Sequence, residues 1–268
     1  MHIILLRGLG RESAHWGDFP EQLKRYLDEQ LKTHTECDKQ GITIYSIDLP
    51  SCGEFHQQAA CKTIAEMTEH ARDTFNRKKN ASPKTLLIGL SMGGMVALDW
   101  SQRYPQEITY VVLINSSLGT QPLHWRIKLH AWPIAFAALL APLKWREYWM
   151  LKLVSNDKKN QREQLKNWLY IQQQRPVSRC HLMQLLIAAA RFKPLKTSLK
   201  NGLIITSQQD QLVSSRCSHA IAAQYQWPLL QHPSAGHDLP MDAPEWLCKH
   251  LSTWLKIHLA KNTKQKQR

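Results

Sequence analysis

Leu86-Leu87-Ile88-Gly89-Leu90-Ser91-Met92-Gly93-Gly94-Met95-Val96-Ala97-Leu98 is the stretch on which the reading of this chain turns. An apolar run of strand length leads into Ser91, and an apolar helical pattern opens at Met92. Between them stands G-x-S-x-G, a weak pattern alone that gains meaning from the strand before it and the helix after it. Small residues at 89 and 93 let strand and helix approach closely around a tight turn that presents the Ser91 hydroxyl. Packing or phosphate binding would also use a glycine-rich turn, so the nucleophile reading depends on partners elsewhere.

A serine hydroxyl needs a base, and the base needs an orienting acid. Of the 13 histidines, His237 lies in Ser234-Ala235-Gly236-His237-Asp238-Leu239-Pro240, a loop between the last expected strand and the last helix. Leu203-Ile204-Ile205-Thr206-Ser207 runs into Gln208-Gln209-Asp210, placing Asp210 just past a strand end. The order Ser91, Asp210, His237 is the one this strand-turn-helix elbow requires. Rival acids read differently. Asp238 suits a cap of Met241–Trp246 or of its own loop, and Asp242 suits an N-cap before Ala243-Pro244-Glu245. Asp99 reads as solvated and Asp48 as a loop anchor. His2, His34, His70 and His250 read as ordinary surface or core histidines.

A tetrahedral intermediate also needs backbone donors. The amide of Met92 follows the nucleophile directly. A second is expected at Leu9, in the turn Arg7-Gly8-Leu9-Gly10 after the first strand. That turn is not a dinucleotide loop: Gly8-Leu9-Gly10-Arg11-Glu12-Ser13 lacks the third glycine, and no acid follows at the required distance.

Working outward, strands are expected at His2–Arg7, Ile42–Ile47, Thr85–Gly89, Tyr110–Asn115 and Leu203–Ser207, with a weaker one at Trp227–Gln231. Helical spacing marks Phe19–Lys32 (Asp18 as N-cap), Gln57–Arg77, Met92–Tyr104, Ser214–Gln224 and Glu245–His258. This alternation predicts an α/β fold, a mainly parallel sheet with helices on both faces. Residues 121–200 break the rhythm with helical segments punctuated by Pro122, Pro133, Pro142, Pro176 and Pro194, too long an insertion for a loop. Residues 1–120 and 201–260 therefore form the core, and 261–268 a basic flexible tail.

The ordered set resembles the α/β-hydrolase family. The oxyanion turn, Asp48-Leu49-Pro50-Ser51-Cys52-Gly53 as a form of the family's D-x-P-G-x-G loop, the Ser91 elbow, the Asn115-Ser116-Ser117 strand end, Asp210 and Gly236-His237 carry the likeness. It implies an ester or thioester hydrolase, with 121–200 as a cap over the acyl pocket. The family usually begins with two more strands, so about six are expected here. Arg7 replaces the family's usual histidine before Gly8; it would neutralise a substrate carboxylate or pair with a local acid, and the second reading is preferred. Ser51 replaces a glycine, which changes loop shape. Serine at the elbow argues against epoxide and haloalkane hydrolases, which carry aspartate there. Lyases on the same scaffold, or a ligand-binding member, are the alternatives.

Charge bounds the partners. The chain carries 35 Lys+Arg against 21 Asp+Glu, a net charge of +14. Residues 121–200 hold 15 basic and 3 acidic residues, and 256–268 hold 5 basic and none acidic. Such a basic insert suggests three readings: an acidic acyl carrier protein, as in the biotin-pathway esterases whose layout this chain resembles; weak interfacial contact with anionic lipid through Trp132–Leu143; or a solvated surface. No nucleic-acid-binding motif accompanies the charge, so no nucleic-acid partner is expected. The longest nearly uncharged apolar run, Ala131–Leu143, falls short of the ~20 residues of a membrane span. Cys37, Cys52, Cys61, Cys180, Cys217 and Cys248 form no C-x-x-C pair and read as reduced thiols, with no metal site and no cofactor. With no signal-peptide pattern at Met1–Gly8, a cytoplasmic location is expected.

Overall fold

The computed structural model describes residues 1–31, 41–79, 84–195, 197 and 201–266, the last six by their backbone. Its six strands are β1 (His2–Leu6), β2 (Thr43–Ile47), β3 (Thr85–Leu90), β4 (Tyr110–Ile114), β5 (Gly202–Ser207) and β6 (Leu229–His232). They form one sheet in the order β2-β1-β3-β4-β5-β6, every pairing parallel. The central strands are buried along their whole length, as expected of a parallel sheet covered on both faces.

Alternate side chains divide between the faces. Ile3, Leu5, Leu86, Ile88, Tyr110 and Val112 pack with α1 (Phe19–Leu31) and the final helix, through Leu23, Leu27, Leu251 and Leu255. Ile4, Leu6, Leu87, Val111 and Leu113 pack with α2 (Ile64–Lys78), α3 (Met92–Arg103) and α9 (Ser215–Tyr225). Helix α2 begins at Ile64, not Gln57, because Thr63 caps it: its hydroxyl accepts from the Glu66 amide while the Glu66 carboxylate accepts from the Lys62 amide. Between β4 and β5 the described residues form five helices and no strand: α4 (Leu123–Arg126), α5 (Ala131–Leu140), α6 (Leu143–Val154), α7 (Gln161–Gln174) and α8 (Arg179–Arg191). After β6 come the single-turn α10 (Leu239–Asp242) and α11 (Pro244–Lys266). Helix α11 carries its backbone through Lys266, past the start of the tail expected to be flexible. Cys37 and His34 lie outside the described residues; Cys52, Cys61, Cys180, Cys217 and Cys248 are free thiols.

The helical insert has its own apolar centre (Ala131, Leu151, Leu153, Val154, Trp168). It also joins the main core through Val177, Leu185, Ala188, Ala189 and Phe192. Two ion pairs clamp it: Arg11 to Glu147 at 2.5 Å, and Arg175 to Glu12 at 2.5 Å. No helix among the described residues is long and apolar enough to cross a membrane.

Candidate active site

The chain reverses strand order around β1, so the loops at the carboxyl ends of β1, β3, β4, β5 and β6 gather at one edge of the sheet. Ser91 directly follows β3 with φ 56° and ψ −120°, a strained backbone for a residue bearing a side chain. The glycines around it make this turn feasible. A methyl on Gly89 would lie 2.3 Å from the Gly93 carbonyl oxygen, and one on Gly93 would lie 2.2 Å from that of Leu6. Helix α3 therefore presses directly on β3 and β1, and Ser91 is pushed to the sheet edge, partly exposed. Its amide donates to the Ile114 carbonyl at 2.9 Å, and its own carbonyl accepts the Ser116 hydroxyl at 2.8 Å.

The turn after β1 abuts this serine. A methyl on Gly8 would stand 3.3 Å from Ser91 Cβ and 3.7 Å from Oγ. Among the described residues no hydrogen bond takes the Leu9 amide. Met92, as the first residue of α3, has no preceding turn to accept its amide within the helix. Leu9 and Leu182 both pack against the apolar cluster that contains Met92 and Leu118. A methyl on Gly10 would lie 2.5 Å from Leu182 Cδ2, so the insert meets the turn after β1.

Asp210 and His237 are brought together from loops 27 residues apart, with His237 Nδ1 2.7 Å from Asp210 Oδ2. Both are buried. The other oxygen, Asp210 Oδ1, accepts the amides of Leu212 and Val213 at 2.8 and 2.9 Å, which fixes the carboxylate plane. The His237 loop is held by Asn115, at φ 44° just beyond β4. Its Nδ2 donates to the His237 carbonyl at 2.7 Å and to Ser207 Oγ at 3.1 Å, while its Oδ1 accepts the Ser207 amide. In the sequence Asn115 is only part of a strand-end motif; its left-handed φ and these bonds emerge when β4, β5 and the His237 loop meet.

Several rival acids take other places than expected. Asp238 caps nothing with its side chain; its carboxylate accepts both terminal nitrogens of Arg7, at 3.1 and 2.5 Å, in a buried pair. Arg7 thus pairs with an acid of the protein that is near in space though 231 residues away. Asp242 is no N-cap of α11. Its carboxylate accepts the Ser155 hydroxyl (2.6 Å), the Asn156 amide (2.8 Å) and the Gly236 amide (2.7 Å), tying insert to histidine loop. Burial raises its pKa, against the lowering effect of these three donors. Asp99 is buried rather than solvated, paired with Arg103 at 2.6 Å. Asp48 is the loop anchor expected: it accepts the Ser13 amide and hydroxyl and the Glu54 amide. Ser51 adopts φ 70°, in the left-handed region that favours glycine.

Much of the insert's charge is spent internally. Arg146 contacts Glu147, Gln172 and the Val177 carbonyl, and Arg126 donates to the carbonyls of Ala189 and Ala190. Lys128 Nζ donates to the Asp210 carbonyl at 2.5 Å. Among the described residues no group of three or more His, Cys, Asp or Glu is placed to hold a metal ion.

Solved structures share this architecture at low identity. A bacterial membrane phospholipase A superimposes with a TM-score of 0.73 at 17% identity, over 95% of this chain and 78% of that one. A thermophilic esterase from Thermogutta terrifontis gives 0.69 at 18%, over 96% and 89%. The enol-lactonase of Burkholderia xenovorans LB400 gives 0.70 at 16%, over 95% and 90%. The sequence profile of the alpha/beta hydrolase family matches residues 3–250. With that match spanning nearly the whole chain, the protein belongs to the alpha/beta hydrolase family.

Proposed function

We propose that the protein is a serine hydrolase that cleaves a carboxylic ester or thioester of an apolar acyl group through an acyl-enzyme. The observation that carries this reading is the 2.7 Å contact between His237 Nδ1 and Asp210 Oδ2 at the sheet edge that also bears Ser91 on its strained turn. In this mechanism Ser91 Oγ attacks the carbonyl carbon as His237 Nε2 takes the hydroxyl proton. Asp210 holds the Nδ1 proton and stabilises the imidazolium. The amides of Leu9 and Met92 donate to the oxyanion, and collapse of the intermediate expels the alcohol or thiol with the proton from His237. Water, deprotonated by His237, then releases the acid and restores Ser91. The apolar preference is supported by the apolar cluster that includes Met92, the residue after the serine, and against which Leu9 and the insert's Leu182 pack.

Ser91→Ala should abolish turnover of p-nitrophenyl esters and covalent labelling by a fluorophosphonate, with an unchanged circular dichroism spectrum. Full activity in that variant would refute the proposal. A panel of free esters, thioesters and carrier-linked acyl groups would identify the substrate class.

A further inference from the structure

Helix α5, Ala131-Trp132-Pro133-Ile134-Ala135-Phe136-Ala137-Ala138-Leu139-Leu140, has no charged residue, yet only Ala131 and Ala138 are buried. Trp132, Phe136 and Leu140, spaced by four, are 40%, 65% and 56% exposed, and Leu129 just before the helix is 75% exposed. They share one face. On the adjoining α6, Trp145 and Trp149 are also exposed, again four residues apart. Isolated exposed apolar residues are ordinary, but a whole helix face of this size marks a contact surface.

Lys144 and Lys152 are exposed on α6 and pair with no carboxylate among the described residues, as do Lys158 and Lys159 just beyond it. The three acids of the insert scarcely offset them. Glu147 is buried between Arg11 and Arg146, Asp157 accepts from its own loop, and only Glu163 is exposed. The surface beside the apolar face is thus cationic.

From this combination we infer that the α5–α6 hairpin docks on an anionic lipid surface. An acidic protein would match the charge, but protein interfaces carry about one hydrogen bond per 100–200 Å². Of the exposed apolar side chains of the hairpin, only the indoles of Trp132, Trp145 and Trp149 can donate and none accepts. An acyl-chain boundary needs neither, and tryptophan with flanking lysine is the side-chain pairing suited to the headgroup zone. The contact would rest on the surface alone, independent of the serine chemistry. The same insert also touches the core loops through Lys128 on the Asp210 carbonyl and Ser155 on Asp242.

The test is sedimentation of the full chain with phosphatidylcholine vesicles, with and without phosphatidylglycerol, at low and at about 0.5 M salt. The protein should pellet with the anionic vesicles, bind neutral ones at least about tenfold less, and be released by salt. Phe136→Glu/Leu140→Glu and, separately, Lys144→Glu/Lys152→Glu should each weaken binding about tenfold or more. Both should keep hydrolysis of a short soluble p-nitrophenyl ester. Ser91→Ala should bind vesicles as the parent does, which separates this inference from the catalytic one. Failure to pellet, equal binding to neutral vesicles, or undiminished binding by both double variants would overturn it. So would a dimer in light scattering that Phe136→Glu/Leu140→Glu converts to monomer while vesicles go unbound.

Discussion

Arg7 and Asp238 form a buried ion pair in which both terminal guanidinium nitrogens meet both carboxylate oxygens, at 3.1 and 2.5 Å. The pair bolts the turn after β1, which carries Leu9, to the residue beside His237. Trp16 stacks under the guanidinium at 4.7 Å, and the Asp238 amide donates to the Val154 carbonyl of the insert. Core, insert and histidine loop therefore meet at one electrostatic joint.

Removing one partner of such a pair strands the other charge away from water. Asp238→Asn should lower unfolding free energy by about 3 kcal/mol, while Arg7→Met/Asp238→Leu should recover much of that loss. Urea denaturation reads both. Equal stability of parent and Asp238→Asn would mean the pair contributes nothing.

Asp210→Asn removes the carboxylate facing His237 Nδ1 while its remaining oxygen can still accept the Leu212 and Val213 amides. The amide would favour the wrong imidazole tautomer. kcat on p-nitrophenyl esters should fall by roughly 10⁴-fold with KM little altered. A loss under tenfold would remove Asp210 from the proposed triad.

Asp242→Asn replaces one acceptor oxygen by a donor amid three donors, Ser155, Asn156 and Gly236. The expected cost is about 1–3 kcal/mol. Hydrogen exchange should quicken together in residues 154–157 and 234–238, since one carboxylate serves both. Acceleration confined to one segment would contradict this coupling.

His15 is buried, and burial followed by the charges of Arg11 and Arg7 holds its pKa well below 6.5. The folded protein keeps it neutral, whereas the unfolded chain protonates it near 6.5. Its contribution is fully present above pH 6.5 and is lost as pH falls from there toward the depressed folded value. Between those limits it costs up to about 1.4 kcal/mol per pH unit. His15→Gln should flatten the decline in stability between pH 7 and 5.5, measured by urea denaturation at each pH. A slope identical to the parent's would show that His15 is not the titrating group.

Strands and the serine turn were legible because their signals are local. Apolar runs of five or six residues predict β1, β3, β4 and β5, and glycines at 89 and 93 are required by contacts between adjacent elements. Asp48 was legible in part for the same reason, its Glu54 contact lying six residues away, while its bonds to Ser13 span 35. Asp242 and Asp99 were misread because their local patterns resemble a cap and a solvated helix position. Asp99 is buried, and Asp242 is claimed by the insert, 86 residues away at Asn156.

The charge divides along the same line. By itself the chain determines that residues 121–200 are strongly basic, and that Ser91, Asp210 and His237 follow in the order an elbow hydrolase needs. Only the tertiary structure decides which cations are spent, as Arg175 is on Glu12 across 163 residues and Arg126 on the Ala189 carbonyl across 63, and which meet no carboxylate among the described residues beside the bare face of α5. Apolar periodicity and turn chemistry act within a few residues and can be read along the chain. Pairing and burial of charge depend on which surfaces the fold brings together, and no local pattern encodes that.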